Sequence, residues 1–179
     1  MSRFHNLNKS EILRILHLLD DKLTDDFVIQ LCGSAAVLLQ DYDFRLTRDI
    51  DFVKSIGNIG VAIIQRVYKE NPSLARDIFD LQAPGVVCLL EDYEDRLVEI
   101  KDDFKYLRVY VISVVDWIVS KLEAPKFPDL YDYPEFITEE NVEFIENNMG
   151  LYCGLVEERA WNSINILKNE LRILRGEQK

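Results

Sequence analysis

The sequence predicts an α/β (α+β) domain, a mixed sheet flanked by helices, with further helices at its C-terminus. Three observations lead there. Segments with helical spacing alternate with short apolar, β-branched runs. The run "DFVIQLCG" breaks at Gly33 and Ser34 and is followed by the compact apolar segment "SAAVLLQ". Beyond it, "DIDFV" sets Asp49 and Asp51 either side of a single apolar residue.

The elements follow in order. In "NKSEILRILHLLDDKL", Ile12, Ile15, Leu16 and Leu19 fall on one face of an amphipathic helix, and Asn8 with Glu11 three residues later makes an N-cap pattern. "DFVIQLCG" reads as a strand ending at Gly33, "SAAVLLQ" as a short helix and "DIDFV" as the next strand. "VAIIQRVYKENP" is amphipathic and closes at Pro72, and "SLARDIFDL" reads as a further helical turn or two. "GVVCLL" and "LRVYVISV" read as buried strands, and "VVDWIVSKLEA" as a helix with Val115, Ile118, Val119 and Leu122 as its stripe. After a Pro-bearing loop, "TEENVEFIENNMG" and a long segment from about Leu155 to Leu174 are helical. We expect residues 1–136 to form the main domain, N-terminal helix included, with 137–179 as a helical segment packed on it.

Composition narrows the function classes. An apolar fraction of 48% supports a packed core, while no run approaches the roughly 18 apolar residues of a membrane span. Cys32, Cys88 and Cys153 are far apart in apolar contexts, and the N-terminus lacks a secretory pattern, so reduced core thiols in a cytoplasmic protein are expected. His5 and His17 stand outside any Cys/His cluster, which argues against zinc. The net charge of −11 argues against a broad nucleic-acid surface. It leaves room for a local nucleotide pocket, and carboxylates are what magnesium prefers.

Residues two apart on a strand point the same way, so Asp49 and Asp51 present two carboxylates to one face. Like charges that close favour a cation between them, and magnesium carrying a nucleoside triphosphate suits such oxygens. A glycine-serine turn opening a helix offers backbone N–H groups to phosphates. Each feature also has an ordinary reading, as a solvated pair and as simple turn chemistry.

Together these residues resemble the nucleotidyltransferase superfamily of polymerase-β-like domains. "GSAAVLL" followed by "RLTRDIDF" is most similar to minimal, AbiEii-like nucleotidyltransferases, with Arg45, Thr47, Asp49 and Asp51 matching the arginine-x-threonine-x-aspartate-isoleucine-aspartate strand and Ser34 standing for the commoner second glycine. The resemblance implies a nucleotidyltransferase-like sheet and a transfer of nucleoside monophosphate from a Mg2+–nucleotide complex. Asp49 and Asp51 would hold the metal, Gly33 and Ser34 would cradle phosphates, and Arg45 and Thr47 would complete the motif. It also implies a phosphate-clamping Lys121, where the alternative is a surface lysine, and a short acidic motif at Asp129 and Asp132, where the alternative is a pair of loop caps. Arg96 in "EDYEDR" matches a segment of the uncharacterised relatives.

A third carboxylate is expected on a later strand, yet "GVVCLL" and "LRVYVIS" contain no internal acid. Glu99 in "RLVEI" is the strand-like candidate, and Glu91 sits just past a strand end. A catalytically silent domain acting through a protein partner or a homodimer is therefore the competing reading. The stripe Trp161, Ile164, Leu167, Leu171 and Leu174 either docks such a partner or closes the domain's own core. A toxin–antitoxin or phage-defence setting is implied by the resemblance alone.

Overall fold

The computed structural model describes residues 6–74, 77–81, 87–122, 133–154, 157–174 and 176. The chain divides into two compact units, Met1–Val87 with Leu97–Ile112, and Cys88–Arg96 with Ser113–Lys179.

The first unit contains helices α1 (Lys9–Asp20), α2 (Gly33–Leu39) and α3 (Gly57–Glu70) and strands β1 (Phe27–Cys32), β2 (Ile50–Phe52), β3 (Phe79–Asp80), β4 (Val98–Ile100) and β5 (Leu107–Val111). The strands form one mixed sheet in the order β3-β2-β1-β5-β4. β1 runs parallel to β5 and antiparallel to β2, β2 runs parallel to β3, and β4 is antiparallel to β5. This is the mixed sheet with flanking helices that the sequence predicts.

Local chemistry starts and anchors these elements. The Asn8 side chain accepts the Glu11 N–H at 3.0 Å and Glu11 accepts the Asn8 N–H at 3.1 Å, closing a reciprocal cap on α1. At the other end of α1, Asp20 is 6% exposed and accepts backbone N–H groups from Lys105, Tyr106 and Leu107 at 2.7–2.8 Å. That one carboxylate fixes the entry of β5 into the sheet. Ile12, Ile15 and Leu16 of α1, Ala35–Leu39 of α2 and Ile64 and Val67 of α3 are buried, as are Ile29, Leu31, Ile50, Phe52, Val109 and Val111 of the strands. α2 touches β1, β2 and β5, while α1 touches α2 and α3, so the helices cover one face of the sheet.

The second unit contains α4 (Val114–Val119), α5 (Glu139–Asn148) and α6 (Glu157–Leu174). Trp117 is fully buried and meets Phe136 edge-on at 5.6 Å between ring centroids. Ser163 of α6 donates to the Leu122 carbonyl at 2.7 Å. Ile164 and Leu167 are buried and Trp161 and Leu171 half-buried, so this stretch of the α6 stripe serves the unit's own core.

Several local expectations are corrected. "SLARDIFDL" is not helical at its end: Phe79 and Asp80 form β3, because Phe79 gains a buried place stacked on Phe52 at 6.0 Å. In "GVVCLL", residues 87–90 form no strand beyond a single bridge from Leu90 to Tyr152. α4 ends at Val119 rather than running through Lys121. Cys32 is buried as expected, but Cys88 is half-buried and Cys153 exposed, so the last is no core residue.

Candidate active site

The site grows from the β1–α2 junction and the strand beside it. Gly33 opens α2 with φ +64°, a left-handed conformation that glycine adopts without strain. Its second reason for being glycine is a neighbour. A Cβ at Gly33 would fall on Oδ2 of Asp51 and stand 3.1 Å from its Cγ. The carboxylate therefore occupies the space that any side chain at position 33 would need. Ser34, half-buried, follows in the first turn of α2, whose N-cap Cys32 makes no side-chain capping bond.

Asp51 is placed by pairing. Cys32 and Asp51 are in register across β1 and β2, and Ile50 and Phe52 on either side of Asp51 are fully buried. Alternation sends Asp51 to the opposite face, and Asp49 lies just before β2. Asp49 is steadied by Thr47, which is 5% exposed and whose Oγ1 lies 3.2 Å from the Asp49 carbonyl and 3.4 Å from its Oδ1. Thr47 is itself clamped by a two-way backbone bridge to Leu7, at 3.0 and 2.6 Å. Arg45 is exposed on the stretch leading to Thr47, between buried Phe44 and exposed Leu46.

The structure also brings in a residue that the sequence reading missed. Asp80 on β3 is in register with Asp51 on β2, one step after the buried pair of Ile50 and Phe79. Adjacent strands stand about 4.8 Å apart and residues in register share a face. Asp51 and Asp80 thus line the same side of neighbouring strands, and both they and Asp49, which precedes β2, are half-buried. A signal for Asp80 was present: Phe79-Asp80-Leu81 repeats the apolar–acid–apolar order of Ile50-Asp51-Phe52.

Glu99 does not take that role. It lies exposed on β4, separated from β2 by β1 and β5, which is three strand spacings or about 14 Å. Glu91 belongs to the second unit, where its N–H donates to the Leu151 carbonyl at 2.7 Å. Lys121, also in the second unit, sits in the turn after α4 with its Nζ 5.5 Å from the Trp117 ring centroid. Asp129 and Asp132 lie outside the described residues.

Arg96 is built into the fold of the second unit. It grips Asp116 with two N–H groups at 3.1 and 2.8 Å and meets Asp92 at 2.8 Å, with its guanidinium 5.1 Å from the Phe144 ring centroid. Asp116 is fully buried and also accepts the Ser113 hydroxyl at 2.5 Å. Burial opposes the charge on Arg96, but the bonds from Asp116 and Asp92 outweigh it and raise its pKa. This is a structural ion pair.

Among the described residues, no group of three or more His, Cys, Asp or Glu side chains is arranged to hold a metal on its own. Magnesium rarely asks for that. It binds through one or two carboxylates and completes its shell with water and substrate phosphates. The hard, half-buried oxygens of Asp49 and Asp51 fit such a shared ion.

A mixed sheet in which a glycine-opened helix stands against an Asp-x-Asp strand is the framework of a nucleotidyltransferase. The chain belongs to the family described as nucleotidyltransferase of unknown function (DUF6036), whose model matches residues 10–166. No curated protein and no solved structure matches it. No helix among the described residues is long and apolar enough to cross a membrane.

Proposed function

We propose that this protein transfers a nucleoside monophosphate from a magnesium-bound nucleoside triphosphate to a hydroxyl acceptor in the cytoplasm. The observation that carries the reading is the register of Asp51 with Asp80 on neighbouring strands, with the Asp51 carboxylate lying where a side chain at Gly33 would go. Asp49 and Asp51 would hold magnesium, which supplies neutralisation of triphosphate charge when bound. Thr47 keeps Asp49 aimed. Gly33 and Ser34 present backbone N–H groups at the start of α2 to the phosphates, and Arg45, Lys121, Asp129 and Asp132 complete nucleotide binding as the family resemblance implies. Asp80 accepts the proton of the acceptor hydroxyl as its oxygen attacks the α-phosphorus and pyrophosphate departs.

The rival reading, a silent domain working through a partner, drew its force from a missing third carboxylate. Asp80, in register with Asp51, is the carboxylate that this proposal puts in its place. The toxin–antitoxin or phage-defence setting is part of this proposal and rests on family resemblance. Calorimetric titration with nucleoside triphosphate tests the site. Wild type is expected to bind in magnesium, and Asp49→Asn with Asp51→Asn to lose magnesium-dependent binding while melting at the same temperature or slightly higher, as like-charge repulsion is relieved. Equal binding by both proteins would remove the two carboxylates from the site.

A further inference from the structure

β3 is two residues long and forms an edge of the sheet, so few ladder bonds of its own hold Asp80 in place. On the side of β2, the Ile50 N–H donates to the Ile78 carbonyl at 2.7 Å. In a parallel pair alternate residues turn their backbone groups toward the neighbour, so the Phe79 N–H faces away from β2. Outward donors at a sheet edge are ordinarily left to water. Here the Tyr68 hydroxyl accepts this one at 3.1 Å. The Tyr68 ring meets the Phe79 ring edge-on at 6.0 Å between centroids, on the strand that Phe52 holds by stacking on Phe79 at 6.0 Å. Tyr68 itself is carried by α3, whose Ile64 and Val67 are fully buried and whose last residue, Glu70, pairs with Lys22 at 2.5 Å.

We infer that Tyr68 is a positioning residue for Asp80, setting the aim of that carboxylate through the backbone of Phe79. The inference rests on the proposed role of Asp80 as general base. Successive side chains of a strand point to opposite faces, so holding Phe79 against the helix-covered side holds Asp80 on the other, in register with Asp51. A base acts only within hydrogen-bond reach of the proton it takes, and a misplacement of about 1 Å costs on the order of 10²-fold in rate. Tyr68→Phe keeps the ring and removes the acceptor. The Phe79 N–H then loses its partner in a part-buried place, and β3 recovers a bond by turning that group to water, which carries Asp80 off its register. Asp51 stays where it is, because β2 pairs with β1 independently of β3. Triphosphate binding is therefore kept and the transfer step is slowed.

A double-mutant cycle on the full chain tests this, with wild type, Tyr68→Phe, Asp80→Asn and the double variant compared for transfer of label from α-labelled nucleoside triphosphates in magnesium. Tyr68→Phe should lower kcat roughly tenfold or more with KM for the triphosphate unchanged. In the Asp80→Asn background the same change should have no further effect, because the group it aims is already disabled. Damage spread through the fold would instead cut the rate by the same factor in both backgrounds and overturn the inference. Amide hydrogen exchange reads the tie without activity: the Phe79 amide should exchange faster in Tyr68→Phe while the amides of β1 and β5 keep their protection. Unchanged Phe79 protection, or full activity of Tyr68→Phe beside a slow Asp80→Asn, would overturn the role of Tyr68 alone. Asp80→Asn transferring at the wild-type rate, or a wild type that moves no label, would overturn the underlying reading of Asp80 and this role with it.

Discussion

At the scale of single residues, the proposed site rests on one side chain that is absent and three that are acidic. Gly33 is held by two independent constraints, its φ of +64° and the Asp51 carboxylate lying where a Cβ would go. Gly33→Ala must therefore strain the backbone and push Asp51 aside together. We expect it to lower stability by about 1–3 kcal/mol and to weaken magnesium–nucleotide binding even where the protein remains folded. Thermal melting and calorimetry on the same sample separate the two effects. Undiminished binding at unchanged stability would show that neither constraint matters to the site. The Asp-x-Asp pair was legible because a period of two is enough to place it. Asp80 was not, since its apolar–acid–apolar triplet suits a helical turn as readily as a two-residue strand. Only pairing with β2 and the burial of Phe79 against Phe52 make it a strand.

At the scale of elements, one carboxylate ties the end of α1 to the start of β5. Asp20 is nearly buried, which by itself would raise its pKa, but the N–H groups of Lys105, Tyr106 and Leu107 outweigh burial and hold it below the ordinary value of 3.8. The folded state thus favours the carboxylate. Its stabilisation is fully present above the unfolded pKa and is lost as pH falls through the lower folded value. Asp20→Ala leaves three backbone donors short of an acceptor and should cost on the order of 3 kcal/mol at neutral pH. Denaturant unfolding at neutral pH and again below pH 3.8 checks the sign, because the gap between wild type and variant should narrow in acid. A constant gap would mean that the charge on Asp20 contributes nothing. The start of α1 was legible because a side chain, Asn8, caps it. The end of α4 was not, because its apolar stripe continues to Leu122 through a turn in which the Lys121 N–H donates to the Ile118 carbonyl.

For the whole molecule, a net charge of −11 and a site built from aspartates favour a ligand that arrives with its own cations. The sheet and its helices set the β1–α2 junction against β2, and β2 against β3, which gathers the acids from two distant stretches of sequence. Whether that gathering performs transfer is tested most directly with nucleoside triphosphates labelled at the α-phosphate, supplied with magnesium and a cell extract as the source of acceptors. Wild type and Asp80→Asn are compared side by side. Losing the general base should reduce transfer by about 10²–10⁴-fold, while calorimetry shows triphosphate binding intact. Transfer by Asp80→Asn at the wild-type rate, or no label moved by the wild type with any of the four nucleotides, would contradict the three-carboxylate site.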